Sequence, residues 1–321
     1  MSEVTHQQIA AFAADRINLP HADAVKHRSQ VNGLRDRLAS KIAADPGYGL
    51  IKSLHAGSVA KSTALKSVND LDLAVYVKSA EAPADDAELV PWLADRLFEA
   101  TTNMDRAQFE EQTHCVTVHY RSSGLDVDVV PVLYEGEPND VGYLIKKRTG
   151  DRLKTSTRLH LDFIGSRRKT YGLEFLELIR LTKWWKRQIV VRVDPDFKFK
   201  SFMIELIWAH LADSGVSLSD YPKALEAFFE WIVRTGLEER VTFTDYTPAS
   251  TFPARGSAPI EILDPVNPEN NVAIRYDNAG RDKILDAAAS AYDALTDARF
   301  ATTKGRAVDD WQELLGPTFK G

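Results

Sequence analysis

The most informative segment of the sequence is Gly57-Ser58-Val59-Ala60-Lys61-Ser62-Thr63-Ala64-Leu65, followed by Asn69-Asp70-Leu71-Asp72-Leu73. Asp70 and Asp72 stand at the start of an apolar run that predicts a strand over Leu71–Val77. Because side chains alternate across a strand, both carboxylates point to the same face. Two converging carboxylates repel each other unless a cation lies between them. Mg²⁺ suits such a site because it takes oxygen ligands and leaves room for waters and substrate phosphates.

The same pattern recurs in a second predicted strand, Leu125-Asp126-Val127-Asp128-Val129-Val130-Pro131. Asp126 and Asp128 face the same way, and either could complete a set of three carboxylates. The paired aspartates and a triphosphate would hold one metal ion. A second ion, bridged by the third aspartate, would lower the pKa of an attacking hydroxyl. The sequence therefore predicts a site for two Mg²⁺ ions, in which Mn²⁺ could substitute.

Gly57-Ser58 predicts a phosphate cradle ahead of the carboxylates. Glycine lets the backbone approach a phosphate closely, and a helix predicted over Val59–Leu65 would offer free N–H groups to oxygen anions. Lys61 lies within one turn of this cradle and is a candidate phosphate contact. Most Gly-Ser pairs are ordinary turns, and most Asp-x-Asp pairs are surface or capping residues. The combination, in this order and at this spacing, nevertheless favours phosphoryl transfer.

Hydrophobic periodicity divides the chain into a mixed part and a helical part. The first helix with clear apolar spacing is predicted over His21–Ala44. Further strands are predicted over Leu50–Ala56, Cys115–Tyr120 and Leu125–Leu133, and further helices over Ala87–Thr101, Phe175–Val190, Lys200–Ala212, Tyr221–Thr235 and Arg281–Thr296. The sequence therefore predicts an α+β fold. Residues 1–150 would form a mixed sheet with flanking helices, residues 151–321 a mainly helical lobe, and the cleft between them the active site.

Composition excludes several classes of protein. The single cysteine, Cys115, rules out an internal disulfide framework and a multi-cysteine zinc site. No stretch approaches the roughly 20 apolar residues needed to cross a bilayer, and the acidic, polar start does not read as a signal peptide, so we expect a cytoplasmic protein without membrane contact. Residues 145–200 hold 16 Lys and Arg against 6 Asp and Glu in a chain of net charge −6. This basic segment suits an anionic ligand or a solvated face.

The residues also resemble a known family. Gly57-Ser58-x-x-Lys61-x-Thr63 followed by Asp70-x-Asp72 is similar to the signature of oligoadenylate synthetases and cGAS/DncV-like nucleotidyltransferases (CD-NTases). This resemblance implies a polymerase-β-like nucleotidyltransferase lobe, and the Asp-Val-Val-Pro context assigns the third carboxylate to Asp128. It also implies nucleotide contacts from the Gly57-Ser58 turn and from Thr63. Further contacts are implied for Arg180 and Lys183, which lie in a helix with the motif Leu-Ile-Arg-Leu-x-Lys-x-Trp, and for Ser201 at the start of the next helix.

Arg16-x-Asn18-Leu19-Pro20, Leu159–Ile164 and Lys198–Leu206 resemble the clade C enzymes of bacterial anti-phage (CBASS) systems. The resemblance implies synthesis of a cyclic oligoadenylate second messenger, commonly cyclic tri-AMP, from ATP with release of pyrophosphate. It further implies a HORMA-domain partner and an AAA+ ATPase that remodels that partner. One cysteine is too few for the zinc insertion of the vertebrate sensor, and no long polybasic arm is present. The basic segment keeps nucleic acid open as an activator.

Two other functions remain open at this stage. The same fold could transfer a nucleotide to an RNA, a protein or a small molecule, although the sequence contains no separate RNA-binding module. A degenerate transferase could also serve as a scaffold for a partner, but the presence of Asp70, Asp72 and Asp128 argues against that function.

Overall fold

The computed structural model describes residues 4–68 and 70–321. Contacts divide them into two compact units: Leu19–Phe163, and the described residues up to Asn18 together with Ile164–Gly321. This boundary differs from the predicted division at residue 150. The first helical segment belongs with the C-terminal half of the chain, and residues 151–163 belong with the sheet. The cleft between the two lobes stays a prediction.

Both units are built from short, regular elements. The strands are β1 (Leu50–Ala56), β2 (Asp70–Lys78), β3 (Phe109–Glu111), β4 (Val116–Tyr120), β5 (Leu125–Tyr134), β6 (Gly142–Ile145) and β7 (Arg152–Thr155). The helices are α1 (His6–Phe12), α2 (His21–Ala44), α3 (Gly57–Ala60), α4 (Leu89–Ala100), α5 (Thr157–Tyr171), α6 (Leu173–Arg192), α7 (Ser201–Asp213), α8 (Tyr221–Thr235), α9 (Asn278–Phe300) and α10 (Lys304–Leu315). Across the described ranges, every helix is too short or too polar to span a membrane.

The first unit is organised by a seven-stranded mixed sheet. Its strand order is β1-β2-β5-β4-β3, with β6 beside the second half of β5 and β7 beside β6. β2 and β5 pair in parallel, and the remaining pairings are antiparallel. A parallel pair needs a long crossover, and here the chain between β2 and β5 supplies α4 and the β3–β4 hairpin.

The alternation along β2 and β5 separates the two faces of the sheet. Leu71, Leu73, Val127 and Val129 are buried in the main core, where α2 and α4 cover the sheet. The residues between them, beginning with the aspartates, point to the opposite face. Farther along the strands, that opposite face carries a small apolar cluster of Ala74, Tyr76 and Val132. The carboxylates therefore lie on the face that α2 and α4 leave uncovered.

The second unit is stabilised by a core of packed aromatic side chains. Trp208 stacks on Phe228 with ring centroids 4.9 Å apart, and its indole N–H donates to Thr182 at 2.9 Å. Trp185 packs edge to face against Phe229 at 4.7 Å. The burial of these large rings supplies much of the apolar area that stabilises the helical unit.

Most predicted elements are present with small shifts at their ends, and one prediction is wrong. The helix predicted over Val59–Leu65 begins at Gly57 and ends at Ala60. It ends there because Ser62 adopts a left-handed backbone conformation with φ +60°, which a helix cannot contain. Two further helices, α5 and α10, were not predicted. The buried residues Ala307, Trp311 and Leu314 of α10 do follow helical spacing, and this was the signal that could have revealed it.

Arg167 on α5 clamps the end of α7 to a later loop. Its side chain is 7% exposed, its Nε lies 3.0 Å from Asp213 Oδ2, and its Nη1 lies 2.9 Å from Asp245 Oδ1. The guanidinium also packs on the ring of Phe243.

We expect Arg167→Met to lower the free energy of unfolding of the helical unit by about 2–3 kcal/mol in chemical denaturation. The change leaves two carboxylates without their cation, and both retain some contact with water, which keeps the loss below that of a fully buried pair. Arg168→Met removes the same charge from the exposed neighbouring position and serves as the control. Equal losses in both variants would contradict this role of Arg167.

Candidate active site

The parallel register of β2 and β5 sets the predicted carboxylates side by side. Asp70 is paired with Asp126, and Asp72 with Asp128. Neighbouring strands lie about 4.8 Å apart, so the two pairs form a compact square of four carboxylates on one face of the sheet. Asp70 is exposed and the other three are partly buried. Repulsion among them makes this face a place where a cation would be stabilised.

β4 supplies hydrogen-bond donors to the two aspartates of β5. Thr117 pairs with Asp128 in the register, and its hydroxyl donates to Asp128 Oδ1 at 2.7 Å. His119 pairs with Asp126, and its Nδ1 lies 2.7 Å from Asp126 Oδ1. The hydrogen bond to Asp126 raises the pKa of His119. Each aspartate of β5 therefore has one side-chain partner on β4, and the choice of Asp128 as the third metal-binding carboxylate stays a prediction.

The turn before the carboxylates needs glycine at one position. Gly57 has φ +66°, and a Cβ atom there would lie 1.6 Å from Asp72 Oδ2. Any other residue would therefore displace the Asp72 carboxylate as well as strain the backbone. The turn closes where the Thr63 N–H donates to the Ser58 carbonyl at 2.8 Å. The main chain of the cradle thus packs directly against a predicted metal ligand.

The other predicted residues of this segment occupy different environments. Ser58 and Lys61 are partly exposed beside the turn. Thr63 has no solvent exposure, which favours support of the turn over direct contact with a nucleotide. Asn69, which precedes the first aspartate, lies outside the described residues.

The predicted cations belong to the helical unit, where carboxylates accompany them. Arg180 is ion-paired with Glu177, one turn earlier on α6. Lys183 is only 5% exposed, and its Nζ lies 2.6 Å from Glu205 Oε1 on α7. The pair joins two neighbouring helices inside the unit. The predicted site residues therefore form two groups, one in each unit.

Ser201 is the first residue of α7 and has a basic neighbour. Lys186 Nζ donates to Ser201 Oγ at 3.3 Å. Lys200, the residue before the helix, donates through its Nζ to the Val272 carbonyl at 2.8 Å. The start of α7 is therefore surrounded by positive charge.

The sequence analysis did not identify the side chains that contact the predicted site residues. Thr117 and His119 alternate along β4 toward the carboxylate face, and this period of two was the signal that could have revealed them. Glu177 lies three residues before Arg180 on the same helix, and this spacing was its signal. Glu205 gave no such signal, because only packing of the helices brings it to Lys183. Lys186, three residues after Lys183, continues the basic stripe on α6.

Three single residues can now be placed. Cys115 is of intermediate exposure, and the partial burial of its thiol raises the pKa of that group to about 12, which keeps the thiol protonated. His55 Nε2 lies 2.8 Å from Asn32 Oδ1, which indicates a structural role. Asp264 accepts a hydrogen bond from the Val266 N–H at 2.8 Å, which indicates that it organises its loop.

The three predicted metal-binding aspartates offer the kind of ligand atoms that Mg²⁺ binds. Asp70, Asp72 and Asp128 offer only carboxylate oxygens, the ligands that Mg²⁺ prefers, and the strand register holds them close together. Within residues 4–68 and 70–321, no three His, Cys, Asp or Glu side chains already form a metal-binding group. The residues therefore fit the ion in the chemistry of their oxygens and in their backbone register, and their role as its ligands stays a prediction.

The sequence is similar to a known protein family over much of its length. Residues 3–159 match the model of the Second Messenger Oligonucleotide or Dinucleotide Synthetase domain. The chain is 46% identical to the cyclic AMP-AMP-AMP synthase of Escherichia coli strain MS 115-1, covering 99% of this chain and 98% of the relative. It is 31% identical to the CBASS oligonucleotide cyclase CdnC of E. coli strain KTE188, again over 99% of this chain and 98% of the relative.

Two solved structures of E. coli MS115-1 CdnC have the same fold. The complex of CdnC with HORMA-deltaN matches with a TM-score of 0.92 and 45% identity, and covers 99% of each chain. The structure of CdnC with ATP matches with a TM-score of 0.92 and 46% identity, also over 99% of each chain. Full-length similarity at this level shows the family. The chain belongs to the cGAS/DncV-like nucleotidyltransferases, and within them it is similar to the CdnC enzymes of CBASS systems.

Proposed function

We propose that this protein joins ATP into a cyclic oligoadenylate, cyclic tri-AMP, and releases pyrophosphate, as a second-messenger synthase of anti-phage defence. The observation that carries the proposal is the parallel register that sets Asp72 beside Asp128, with the Gly57 turn packed on Asp72. The name of the relative at 46% identity, a cyclic AMP-AMP-AMP synthase, supports the choice of base and ring size.

Asp70, Asp72 and Asp128 would hold two Mg²⁺ ions. When bound, these ions polarise the α-phosphate, lower the pKa of the attacking ribose hydroxyl and neutralise the leaving pyrophosphate. Thr117 holds Asp128 Oδ1 and so directs its other oxygen. The backbone at Gly57-Ser58 would lie against the phosphates of the donor nucleotide, because no side chain at residue 57 blocks the approach.

Each round of the proposed reaction forms one phosphodiester bond. A ribose hydroxyl of one nucleotide attacks the α-phosphorus of another, the bond to the β-phosphate oxygen breaks, and pyrophosphate leaves in line with the attack. Two rounds give a linear trimer, and a third, intramolecular attack closes the ring. The protein therefore acts mainly by holding the reacting groups and stabilising charge.

The helical unit would supply contacts to the triphosphate. Arg180, Lys183 and Ser201 remain the predicted contacts there, and Lys61 remains one beside the cradle. Arg180 and Lys183 carry carboxylate partners, so they would contribute less net positive charge than two unpaired cations.

We also propose a HORMA-domain protein as the partner. The solved complex of a relative with HORMA-deltaN supports this proposal, because that relative matches the chain over 99% of its length. The AAA+ regulator stays a prediction from the family resemblance, and the basic segment over residues 145–200 keeps activation by nucleic acid open.

The proposal is tested by incubating the purified protein with Mg²⁺ and each nucleoside triphosphate, with and without its HORMA-domain partner. Mass spectrometry of the small-molecule fraction is expected to detect cyclic tri-AMP from ATP. If no soluble oligonucleotide forms under either condition, and label from ATP stays on a macromolecule, transfer to an RNA or protein acceptor would replace the proposal. A protein that neither releases nor transfers a nucleotide would be a scaffold.

The two aspartates of β5 are expected to respond differently to loss of charge. Asp128→Asn should lower product formation by at least about a hundredfold, because a metal ligand supplies several kcal/mol of transition-state stabilisation. Asp126→Asn should retain most of the activity, since His119 already engages that carboxylate. The readout is the rate of cyclic product formation by each variant, with folding checked by circular dichroism. The reverse order of effects would reassign the third ligand to Asp126.

Asp70→Asn is expected to abolish product formation without lowering the thermal unfolding midpoint, because Asp70 is exposed and its removal relieves repulsion among the four carboxylates. Full activity of this variant would contradict its assignment as a metal ligand. A matched Asp36→Asn change, on the exposed side of α2, should leave the rate unchanged.

Gly57→Ala is expected to lower product formation by about a hundredfold, because its new Cβ would move the Asp72 carboxylate by an ångström or more. Gly124→Ala is the matched control: it has the same φ of +66°, yet nothing lies within 4 Å of its Cβ position. The control should lose about 1 kcal/mol of stability and keep its activity. Equal rates for the two variants would show that the contact with Asp72 does not matter.

A further inference from the structure

His119 on β4 lies between two carboxylates that belong to different strands. Its Nδ1 is 2.7 Å from Asp126 Oδ1 on β5, and its Nε2 is 3.2 Å from Glu110 Oε2 on β3. Ionised carboxylates only accept hydrogen bonds, so both ring nitrogens are donors and the ring carries a positive charge. This chain of contacts leads away from β2 toward the edge of the sheet, where β3 is the last strand.

The other aspartate of β5 has a partner of a different kind. Thr117 donates from a neutral hydroxyl to Asp128 Oδ1 at 2.7 Å, which leaves the charge of that carboxylate uncompensated. Asp126 instead faces the cationic ring of His119, which offsets its negative charge. Although each aspartate has one partner on β4, the two therefore differ in the charge that they present to an incoming metal ion.

The compact square of carboxylates contains one carboxylate more than the proposed metal site uses. Asp126 lies beside Asp70 in the parallel register, on strands about 4.8 Å apart. A released Asp126 side chain can therefore reach a metal ion held by Asp70. Mg²⁺ in nucleotide sites takes one or two carboxylates and keeps its other positions for waters and substrate phosphates. An additional carboxylate would occupy such a position and would repel the triphosphate.

We propose that His119 is a positioning residue that holds Asp126 out of the predicted metal-binding set of three aspartates. The inference rests on the proposed function and deepens it, because it names the side chain that separates the fourth carboxylate from the other three. His119 and Asp126 are 35% and 38% exposed, and their contact carries the effect. Glu110 supports the ring from its outer side, but this carboxylate is 60% exposed and contributes less.

The first measurement is Mn²⁺ binding to the full chain by electron paramagnetic resonance, without nucleotide and without turnover. His119→Ala removes the imidazole and releases Asp126. We expect this variant to bind Mn²⁺ at least about fivefold more tightly than wild type, because the released carboxylate adds a unit of negative charge beside the ion. The rate of cyclic product formation should fall about tenfold in the same variant, because the additional ligand disturbs the geometry of the reacting groups.

The double variant His119→Ala/Asp126→Asn separates this role from a merely structural one. If His119 acts through Asp126, the double variant should return the Mn²⁺ affinity and the rate to within about twofold of the values for Asp126→Asn alone. His21→Ala is the matched control, because this histidine is exposed at the start of α2 in the same unit. The control should leave both measurements unchanged.

Two results would overturn the inference. One is a Mn²⁺ affinity of His119→Ala that is equal to or weaker than that of wild type. The other is a change in affinity or rate that persists in the double variant, since this would show that His119 supports the fold and does not act through Asp126.

The two proposals fail in different ways. If wild type makes a cyclic oligoadenylate while His119→Ala binds Mn²⁺ as wild type does, the inference on His119 is wrong and the proposed function stands. If His119→Ala binds Mn²⁺ more tightly and the double variant reverts, but wild type with its HORMA-domain partner makes no oligonucleotide, the inference stands and the proposed function is wrong.

Discussion

The parallel pairing of β2 with β5 places like charges next to each other, and the surrounding structure accommodates this repulsion. Asp72 lies beside Asp128 in the register, and Asp70 beside Asp126. On the opposite face, leucines and valines of the same strands are packed under α2 and α4. A shift of one residue in either strand would turn the carboxylates into this core, so hydrophobic burial holds the charged face in place.

Two local features make the charged face usable. β4 offers a hydroxyl to Asp128 and an imidazole to Asp126, which orients two carboxylates and partly compensates the repulsion. The Gly57 turn approaches Asp72 so closely that a side chain at residue 57 would occupy the carboxylate position. Preorganised groups of this kind lower the cost of assembling a metal site during reaction.

In the helical unit, buried charges of opposite sign are paired, whereas like charges lie side by side on the sheet. Most of its buried cations are matched by carboxylates, as with Lys183 and Glu205 or with Arg167 and Asp213. Such pairs add little net stability, but each is costly to break, so they hold the helices in one arrangement. Similarity to CdnC over the whole chain indicates that both units belong to one enzyme family.

Period-two and helical patterns within short segments were enough to predict the mixed sheet and most helices. The order and spacing of short motifs, with their family resemblance, predicted the three aspartates. The strand register, the partners Thr117 and Glu205, and the place of the first helical segment in the C-terminal unit could be seen only in the folded chain. The physical reason is that local periodicity reports which face of an element is apolar. It does not report which distant element that face, or a charge beside it, will meet.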